Sequence, residues 1–228
     1  MNPPAEDVVF LIDVDNTLLD NDGVIADLYA HLGDTLGHAA AARYRTILET
    51  LREELGYVDY LGALQRYRLQ ESPLGMSTPC LLQASRFLID YPFAERLYPG
   101  ALDALHRLRM LGRTVILSDG DVVFQPRKVE RAGLWEATRG DVLIYVHKEL
   151  MLDAVAQLYP ARHYVMIDDK LRILSAMKAI WGDRLTTLFV RQGHYALDTQ
   201  AIAAFPDADI TIDRIDELVS LEWPAGLF

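Results

Sequence analysis

Two aspartates stand directly after the first apolar run of the chain. The stretch VVFLI (8–12) leads into Asp13, Asp15 follows two residues later, and Thr17 completes the pattern DVDNT. Aspartate is disfavoured in strands, and two carboxylates at close range repel each other. Their position at the end of a strand-like run therefore indicates a chemical role, such as holding a cation and supplying a nucleophile.

Polar and charged side chains also follow three later apolar runs, TVILS (114–118), DVLIYV (141–146) and YVMI (164–167). They are Ser118 and Asp119 at the first run, His147 and Lys148 after the second, and Asp168 and Asp169 after the third. If the runs form parallel strands, their carboxyl ends share one edge of a sheet, and these groups meet there. Several carboxylates at one place are tolerable only around a hard cation, and oxygen ligands of this kind suit Mg²⁺.

The runs themselves predict the fold class. They are rich in Val, Ile and Leu without polar alternation, as are LTTLFV (185–190) and a last short run, ADITI (208–212). That composition is typical of strands buried on both faces. Helical spacing in 101–111, 149–159 and 170–180 separates the later runs. The pattern predicts an α/β fold with a Rossmann-like parallel sheet and helices on both faces.

Residues 20–98 break this alternation, because they contain helical spacing and no strand-like run. We therefore expect an α/β core domain formed by residues 1–19 and 99–228, and an all-helical cap domain formed by residues 20–98. Ser77 or Thr78 is a candidate for the N-terminal cap of the last cap helix. An insertion after the first strand would lie over the sheet edge where open α/β folds bind ligands.

Composition narrows the range of partners. The net charge of −11 disfavours a nucleic-acid polymer or an anionic membrane as a partner. The single cysteine excludes an internal disulfide and suits a reducing compartment. No run approaches the length of a spanning helix, and the first residues do not resemble a signal peptide. We expect a cytoplasmic protein of undetermined oligomeric state.

The motifs resemble those of the haloacid dehalogenase-like hydrolase superfamily. DVDNT, Ser118, Lys148 and the pair Asp168–Asp169 come in that family's order, with 30 residues from Ser118 to Lys148 and 20 from Lys148 to Asp168. The stretch YPGALDALHRLRMLGRTVILSDGD (98–121) is also similar to the family's approach to its second motif. The resemblance covers nearly the whole chain, and it implies a phosphatase-type member with a helical cap after the first strand.

The resemblance also implies roles for the strand-end residues. Asp13 would be the nucleophile that forms an aspartyl-phosphate, and Asp15 the general acid and base. Ser118 and Lys148 would contact the phosphoryl group, and Asp119 is a further candidate for substrate binding. Thr17 would order the loop or touch Asp15.

Mg²⁺ is the implied cofactor. Its ligands would come from Asp13, the main-chain carbonyl of Asp15, and the pair Asp168–Asp169. Alignment of IDD with the family's Gly-Asp puts Asp169 in the direct metal position and Asp168 in the place of the glycine. Which of the two touches the metal stays open at this point.

The favoured reaction is hydrolysis of a small phosphorylated metabolite. Dehalogenation is disfavoured, because a halide leaves without a proton and that reaction needs neither Asp15 nor Mg²⁺. A phosphonoacetaldehyde hydrolase would need a cap lysine, and residues 20–98 contain none. Two alternatives stay open, a phosphomutase of the same family and a binding or regulatory module that keeps the fold without turnover.

Overall fold

A single parallel sheet organises the chain. The computed structural model describes residues 6–70 and 78–224, and within them six strands pair in the order β3-β2-β1-β4-β5-β6. The strands are β1 (Glu6–Ile12), β2 (Arg113–Asp119), β3 (Val142–Tyr145), β4 (Ala161–Asp168), β5 (Leu185–Val190) and β6 (Ile210–Ile212). Each strand-like run of the sequence overlaps one of them, although β3 and β6 are shorter than the runs 141–146 and 208–212, and all pairings are parallel. The predicted α/β class is confirmed.

Strand β1 is apolar throughout because both of its faces are covered. Val8, Phe10 and Ile12 pack into one hydrophobic cluster, whereas Val9 and Leu11 pack into another on the opposite face. Side chains alternate between the two sides of a strand, so a strand with helices on both sides needs apolar residues at every position.

The helices of the described residues fall into two groups. Those before β2 are α1 (Asn21–Leu36), α2 (His38–Leu55), α3 (Tyr60–Gln70), α4 (Thr78–Asp90) and α5 (Ala101–Leu111). Those after β2 are α6 (Phe124–Arg131), α7 (Leu134–Ala137), α8 (Leu152–Leu158), α9 (Leu171–Trp181), α10 (Gly193–Leu197) and α11 (Thr199–Ala203). Short 3-10 helices cover Phe93–Arg96, Lys148–Leu150, Gly182–Arg184 and Ile215–Val219. None of the described helices is long and apolar enough to cross a membrane.

The helical insert, α1–α4, follows β1 and has its own packing. Asp20 caps the first turn of α1 by accepting a hydrogen bond from the Gly23 amide at 2.9 Å. Buried Tyr44 of α2 donates its hydroxyl to the carbonyl of Tyr60 in α3 at 2.9 Å. Helix α4 begins at Thr78, and the alternative cap Ser77 lies outside the described residues. The division of the chain into core and cap domains stays a prediction.

The strand order defines where a ligand can bind. The chain fills the sheet from β1 outward to β3, then returns to the other side of β1 for β4. Connections on the two sides of such a point leave in opposite directions, which opens a crevice at the carboxyl ends of the central strands. The crevice in this protein lies at the ends of β1, β2 and β4.

Candidate active site at the carboxyl edge of the sheet

Asp13 and Lys148 form a buried ion pair at the edge of the sheet. Asp13 follows β1 and still donates its amide to the Ile167 carbonyl of β4 at 3.0 Å, which holds it in register with the neighbouring strand. The ammonium of Lys148 lies 2.5 Å from Asp13 Oδ1 and 3.2 Å from the Leu117 carbonyl. The hydroxyl of Ser118 lies 3.5 Å from the same carboxylate oxygen. A carboxylate, a cation and a hydroxyl thus come from three different segments of the chain.

Asp168 and Asp169 occupy different environments although they are adjacent. Asp168 Oδ2 lies 2.7 Å from the ammonium of Lys148, and its Oδ1 accepts the Lys170 amide at 2.9 Å. Asp169 is fully buried, and neither of its carboxylate oxygens has a hydrogen-bond partner among the residues that the structure describes. Burial, reinforced by the nearby carboxylates of Asp168 and Asp13, raises the pKa of Asp169 well above its usual value. An unpartnered buried carboxylate is costly, so Asp169 is the acid of the pair that most needs a cation.

Three carboxylates form a group that could hold a metal ion. Oxygens of Asp13, Asp168 and Asp169 all lie within 4.8 Å of one another, and Asp13 Oδ2 is a further buried oxygen without a described partner. The buried ammoniums of Lys148 and Lys170 offset two of these three carboxylates, so the group keeps a formal charge of −1. Hard oxygen ligands with that excess charge fit a divalent cation such as Mg²⁺.

The position of Lys148 depends on the backbone that precedes it. His147 has a φ of +61°, in the left-handed region that a residue with a side chain rarely adopts. The Lys148 amide then donates to Asp119 Oδ1 at 2.7 Å, so Asp119 acts here on the backbone of the lysine. Burial disfavours the Lys148 ammonium, but the charges of Asp13, Asp168 and Asp119 outweigh this and raise the pKa of the lysine. Lys148 is therefore a permanent positive charge inside the site.

The side chain of Asp15 is not part of the carboxylate cluster and has partners of its own. Its Oδ1 accepts a hydrogen bond from the ammonium of Lys128 at 2.6 Å, and its Oδ2 accepts one from the amide of Gln125 at 3.3 Å. Gln125 also donates to the Ser118 hydroxyl at 2.9 Å. Asp15 thus lies beside the cluster, with its side chain partly exposed to the cavity that follows.

The loop after Asp15 is shaped by Asn16. With φ at +62°, Asn16 adopts the left-handed turn that asparagine tolerates, and its Oδ1 accepts the amides of Asn21 and Asp22 at 3.0 and 3.2 Å. The predicted side-chain contact of Thr17 is not observed: its buried hydroxyl has no hydrogen-bond partner within the described ranges. Thr17 contributes to the loop through its backbone, whose carbonyl accepts a hydrogen bond from Gln192 Nε2 at 3.3 Å.

A cavity of about 840 Å³ lies between the helical insert and the strand-end residues Asp15 and Asp119, beside the carboxylate cluster. Asp15, Asp119 and Lys170 line its core side. Residues of the insert line the other side, and they include Tyr29, Arg45, Leu48, Arg52, Tyr57 and Tyr60. Two histidines of the core also reach the cavity. His194 Nδ1 lies at hydrogen-bonding distance, 2.6 Å, from Asp22 Oδ1 of α1, whereas His147 lies against Gly56 of the insert.

Comparison with known proteins identifies the family. Residues 8–180 match the model of a hydrolase family described as haloacid dehalogenase-like hydrolase. The chain belongs to the haloacid dehalogenase-like hydrolase family. No curated protein sequence matches the chain significantly.

Solved structures agree with this membership. The chain is 63% identical to a haloacid dehalogenase-like hydrolase from Burkholderia xenovorans LB400, with a TM-score of 0.90 over 96% of this chain and 100% of that one. Two more distant structures share the fold. One is a Bacillus subtilis HAD-hydrolase bound to magnesium, at 18% identity and a TM-score of 0.61 over 94% and 97% of the two chains. The other is L-2-haloacid dehalogenase from Xanthobacter autotrophicus, at 18% identity and a TM-score of 0.59 over 93% and 96%.

The family motifs did not reveal every charged residue at the site. Lys128 of α6 and Lys170 at the start of α9 also lie there, so three of the four lysines of the chain are at or beside the carboxylates. Burial lowers the pKa of Lys170, but Asp169 and Asp13 raise it more, and the net shift is upward. A signal for both lysines was present in the composition, since lysine is so rare in this sequence. Only the fold, however, shows which of the four face the site.

Proposed function

We propose that this hydrolase is a Mg²⁺-dependent phosphatase that cleaves a small phosphate monoester through an aspartyl-phosphate on Asp13. One observation carries the proposal: Asp13 is buried within reach of Lys148 and Ser118, next to Asp169, whose oxygens have no described partner. Nucleophile, anion-binding groups and a candidate metal ligand share one place. Such convergence suits phosphoryl transfer, which depends mainly on positioning and on neutralising charge.

The metal would be held by Asp13, Asp169 and the main-chain carbonyl of Asp15. Asp168 is already engaged by Lys148 and by the Lys170 amide, which supports Asp169 as the directly bound acid. When bound, Mg²⁺ would draw negative charge from the phosphoryl oxygens and favour attack by a nearby carboxylate.

The residues of this chain would act in two steps. In the first, a carboxylate oxygen of Asp13 bonds to phosphorus, the bond from phosphorus to the ester oxygen breaks, and the leaving alcohol takes a proton from Asp15. In the second, Asp15 accepts a proton from a water molecule as the water oxygen bonds to phosphorus. The acyl-phosphate bond then breaks, which releases inorganic phosphate and restores Asp13. Lys148 and Ser118 would hold the phosphoryl oxygens in both steps.

Asp15 supports a phosphatase over a dehalogenase. A halide leaves without a proton, so a dehalogenase has no use for an acid beside the nucleophile. In this protein Asp15 is held by Lys128 at 2.6 Å and lines the cavity where a leaving group would lie. The likeness to haloacid dehalogenases at 18% identity concerns the fold and does not alter this argument.

The cavity supports a small-molecule substrate. A volume of about 840 Å³ accommodates a phosphorylated metabolite, and the helical insert covers it from the side opposite the sheet. A nucleic-acid polymer is disfavoured by the net charge of −11. The aromatic and arginine side chains of the insert would contact the leaving group, which makes them the candidates for selectivity.

The deciding experiment is a hydrolysis assay on p-nitrophenyl phosphate and a panel of phosphorylated metabolites, with Mg²⁺ and with EDTA. We expect phosphate release that requires Mg²⁺, and no halide release from 2-chloropropionate. Absence of turnover across the panel would favour a binding module. Interconversion of sugar phosphates with little phosphate release would instead indicate a mutase.

A further inference from the structure

Lys128 is a fully buried lysine outside the four motifs of the family. Its side chain is 0% exposed, on a helix that otherwise carries charged residues such as Arg127 and Glu130 on its outer face. Lysine is rarely buried, because removing an ammonium from water is expensive unless its partners compensate for the loss. The groups around Lys128 must therefore account for its burial.

The contacts of Lys128 lead to Asp15 and to the start of the helical insert. Its ammonium donates to Asp15 Oδ1 at 2.6 Å and to Asn21 Oδ1 at 2.9 Å, and it lies 5.0 Å from the ring centre of Phe124. Asn21 is the first residue of α1. One cation thus joins the carboxylate of Asp15 to the first turn of the insert.

This lysine is separate from the charge that serves the nucleophile. Lys148 makes the ion pairs with Asp13 and Asp168, at 2.5 and 2.7 Å. In the described part of the chain, Lys128 has an ion pair with Asp15 and with none of the three clustered aspartates. Its influence on the reaction would therefore pass through Asp15.

The two oxygens of Asp15 are held unequally. Oδ1 has the short bond to the ammonium, whereas Oδ2 has only the longer 3.3 Å contact with Gln125, whose amide is closer to Ser118 at 2.9 Å. A carboxylate fixed at one oxygen keeps a single orientation, and its weakly held oxygen is the one that can exchange a proton with a ligand.

We infer that Lys128 is a positioning residue that holds Asp15 Oδ1, so that Oδ2 faces the leaving group, and that Asn21 links this orientation to the first helix of the insert. The inference rests on the proposed function, since it assigns Lys128 a part in protonating the leaving alcohol. It goes beyond the motifs, which contain neither Lys128 nor Asn21.

The test compares two substrates within each variant. The kcat/KM for 2,4-dinitrophenyl phosphate, whose leaving group needs no proton, is divided by that for phenyl phosphate, whose leaving group does. This ratio reports the first chemical step and does not depend on the folded fraction of a preparation. The variants are Lys128→Met, Asp15→Asn, the double variant of both, and Lys178→Met as the matched control. Lys178 also pairs with an aspartate, Asp209 at 2.8 Å, and both line a different cavity from the one that Asp15 lines.

We expect the ratio to rise about tenfold or more in Lys128→Met, because general acid catalysis is lost chiefly with phenyl phosphate. The ratio should stay at the wild-type value in Lys178→Met. Adding Lys128→Met to Asp15→Asn should not raise the ratio further, because a residue that acts through Asp15 has nothing to position once the acid is gone.

The possible outcomes distinguish failure of the positioning role of Lys128 from failure of the proposed phosphatase activity. If wild type hydrolyses both substrates and Lys128→Met lowers both kcat/KM values equally, the positioning role is wrong while the phosphatase stands. If wild type hydrolyses neither substrate with Mg²⁺, the proposed function fails, and the role of Lys128 fails with it.

A second variant covers the case in which Lys128→Met does not fold. Asn21→Leu removes one acceptor of the ammonium while leaving Lys128 and Asp15 in place, and it should raise the ratio by about twofold to fivefold. A wild-type ratio in a folded Asn21→Leu protein would overturn the link to the insert. When Lys128→Met does not fold, a wild-type ratio in the folded Asn21→Leu protein would overturn the positioning role of Lys128 as well.

Discussion

The sheet edge and the helical insert face the same cavity but differ in how firmly their side chains are held. Asp13, Lys148 and Asp168 are buried at the sheet edge, and contacts of 2.5 to 2.7 Å join them. On the insert, Arg45 is exposed and lies over the ring of Tyr29 at 5.5 Å. The backbone of parallel strands fixes the first set, whereas the second set can adjust to a ligand. Under the proposed function, we expect the sheet edge to carry the reaction and the insert to select the molecules that undergo it.

The largest effect is expected at the nucleophile. Asp13→Asn keeps the size of the side chain and removes the oxygen charge that attacks phosphorus, so turnover should fall below about a tenth of the wild-type rate, a barrier increase of more than about 1.4 kcal/mol. Phosphate release from p-nitrophenyl phosphate with Mg²⁺ measures it, and circular dichroism checks the fold. A variant that retains more activity than this would show that Asp13 is not the nucleophile.

Asp169→Asn should separate stability from metal binding. Because both oxygens of Asp169 are buried without a described partner, removing their charge should stabilise the metal-free protein by about 1 kcal/mol. We expect Mg²⁺ to stabilise the wild type by about 2.7 kcal/mol at a hundredfold excess over Kd, which raises its Tm, and the variant should lose this gain. Thermal melts with EDTA and with Mg²⁺ measure both effects.

Asp183→Asn is the matched control for that experiment, because Asp183 is exposed in the short 3-10 helix before β5. It should leave the Mg²⁺ shift intact. If the Asp169→Asn protein still gained stability from Mg²⁺, the metal would be bound by other ligands, and the sheet edge would not be the metal site.

A change on the insert should alter selectivity and leave the chemistry in place. Arg45→Ala shortens a cation that lines the cavity, so KM for the best metabolite should rise by about twofold to tenfold with kcat nearly constant. Arg66→Ala is the control, since Arg66 pairs with Glu54 on the surface of the same insert at 2.7 Å. Steady-state kinetics on two substrates of different size measures kcat and KM for both variants. An equal loss of kcat on both would mean that the insert takes part in the reaction itself.

The smallest effect is expected at the junction of the two regions. Asp20→Ala removes the cap of α1 and should lower the free energy of unfolding by about 1 kcal/mol. Asp34→Ala, near the other end of the same helix, should be neutral or slightly stabilising, because a carboxylate there opposes the helix dipole. Urea unfolding measures both variants. A large loss of activity in Asp20→Ala would show that the start of the insert controls the sheet edge.

The difference between the sheet edge and the insert also explains which features could be predicted from the sequence. Apolar runs identified every described strand, and because parallel strands share one edge, the residues after them could be placed together. The walls of the cavity depend on how helices of the insert pack, and helical spacing does not specify which exposed residue faces a neighbour. Lys128 was missed for a related reason, since on a short charged helix one buried lysine looks like its neighbours. The pairing of Asp15 with that lysine could be seen only in three dimensions.

The pairing of β1 has a consequence for how the protein is made. Its neighbours β2 and β4 lie more than 100 and more than 150 residues further along the chain, whereas α1–α4 contact one another locally. Contacts between distant segments form late, because they must first close long loops. On a ribosome, the insert could therefore fold early, but the three carboxylates of the proposed metal site could not meet until β4 had emerged.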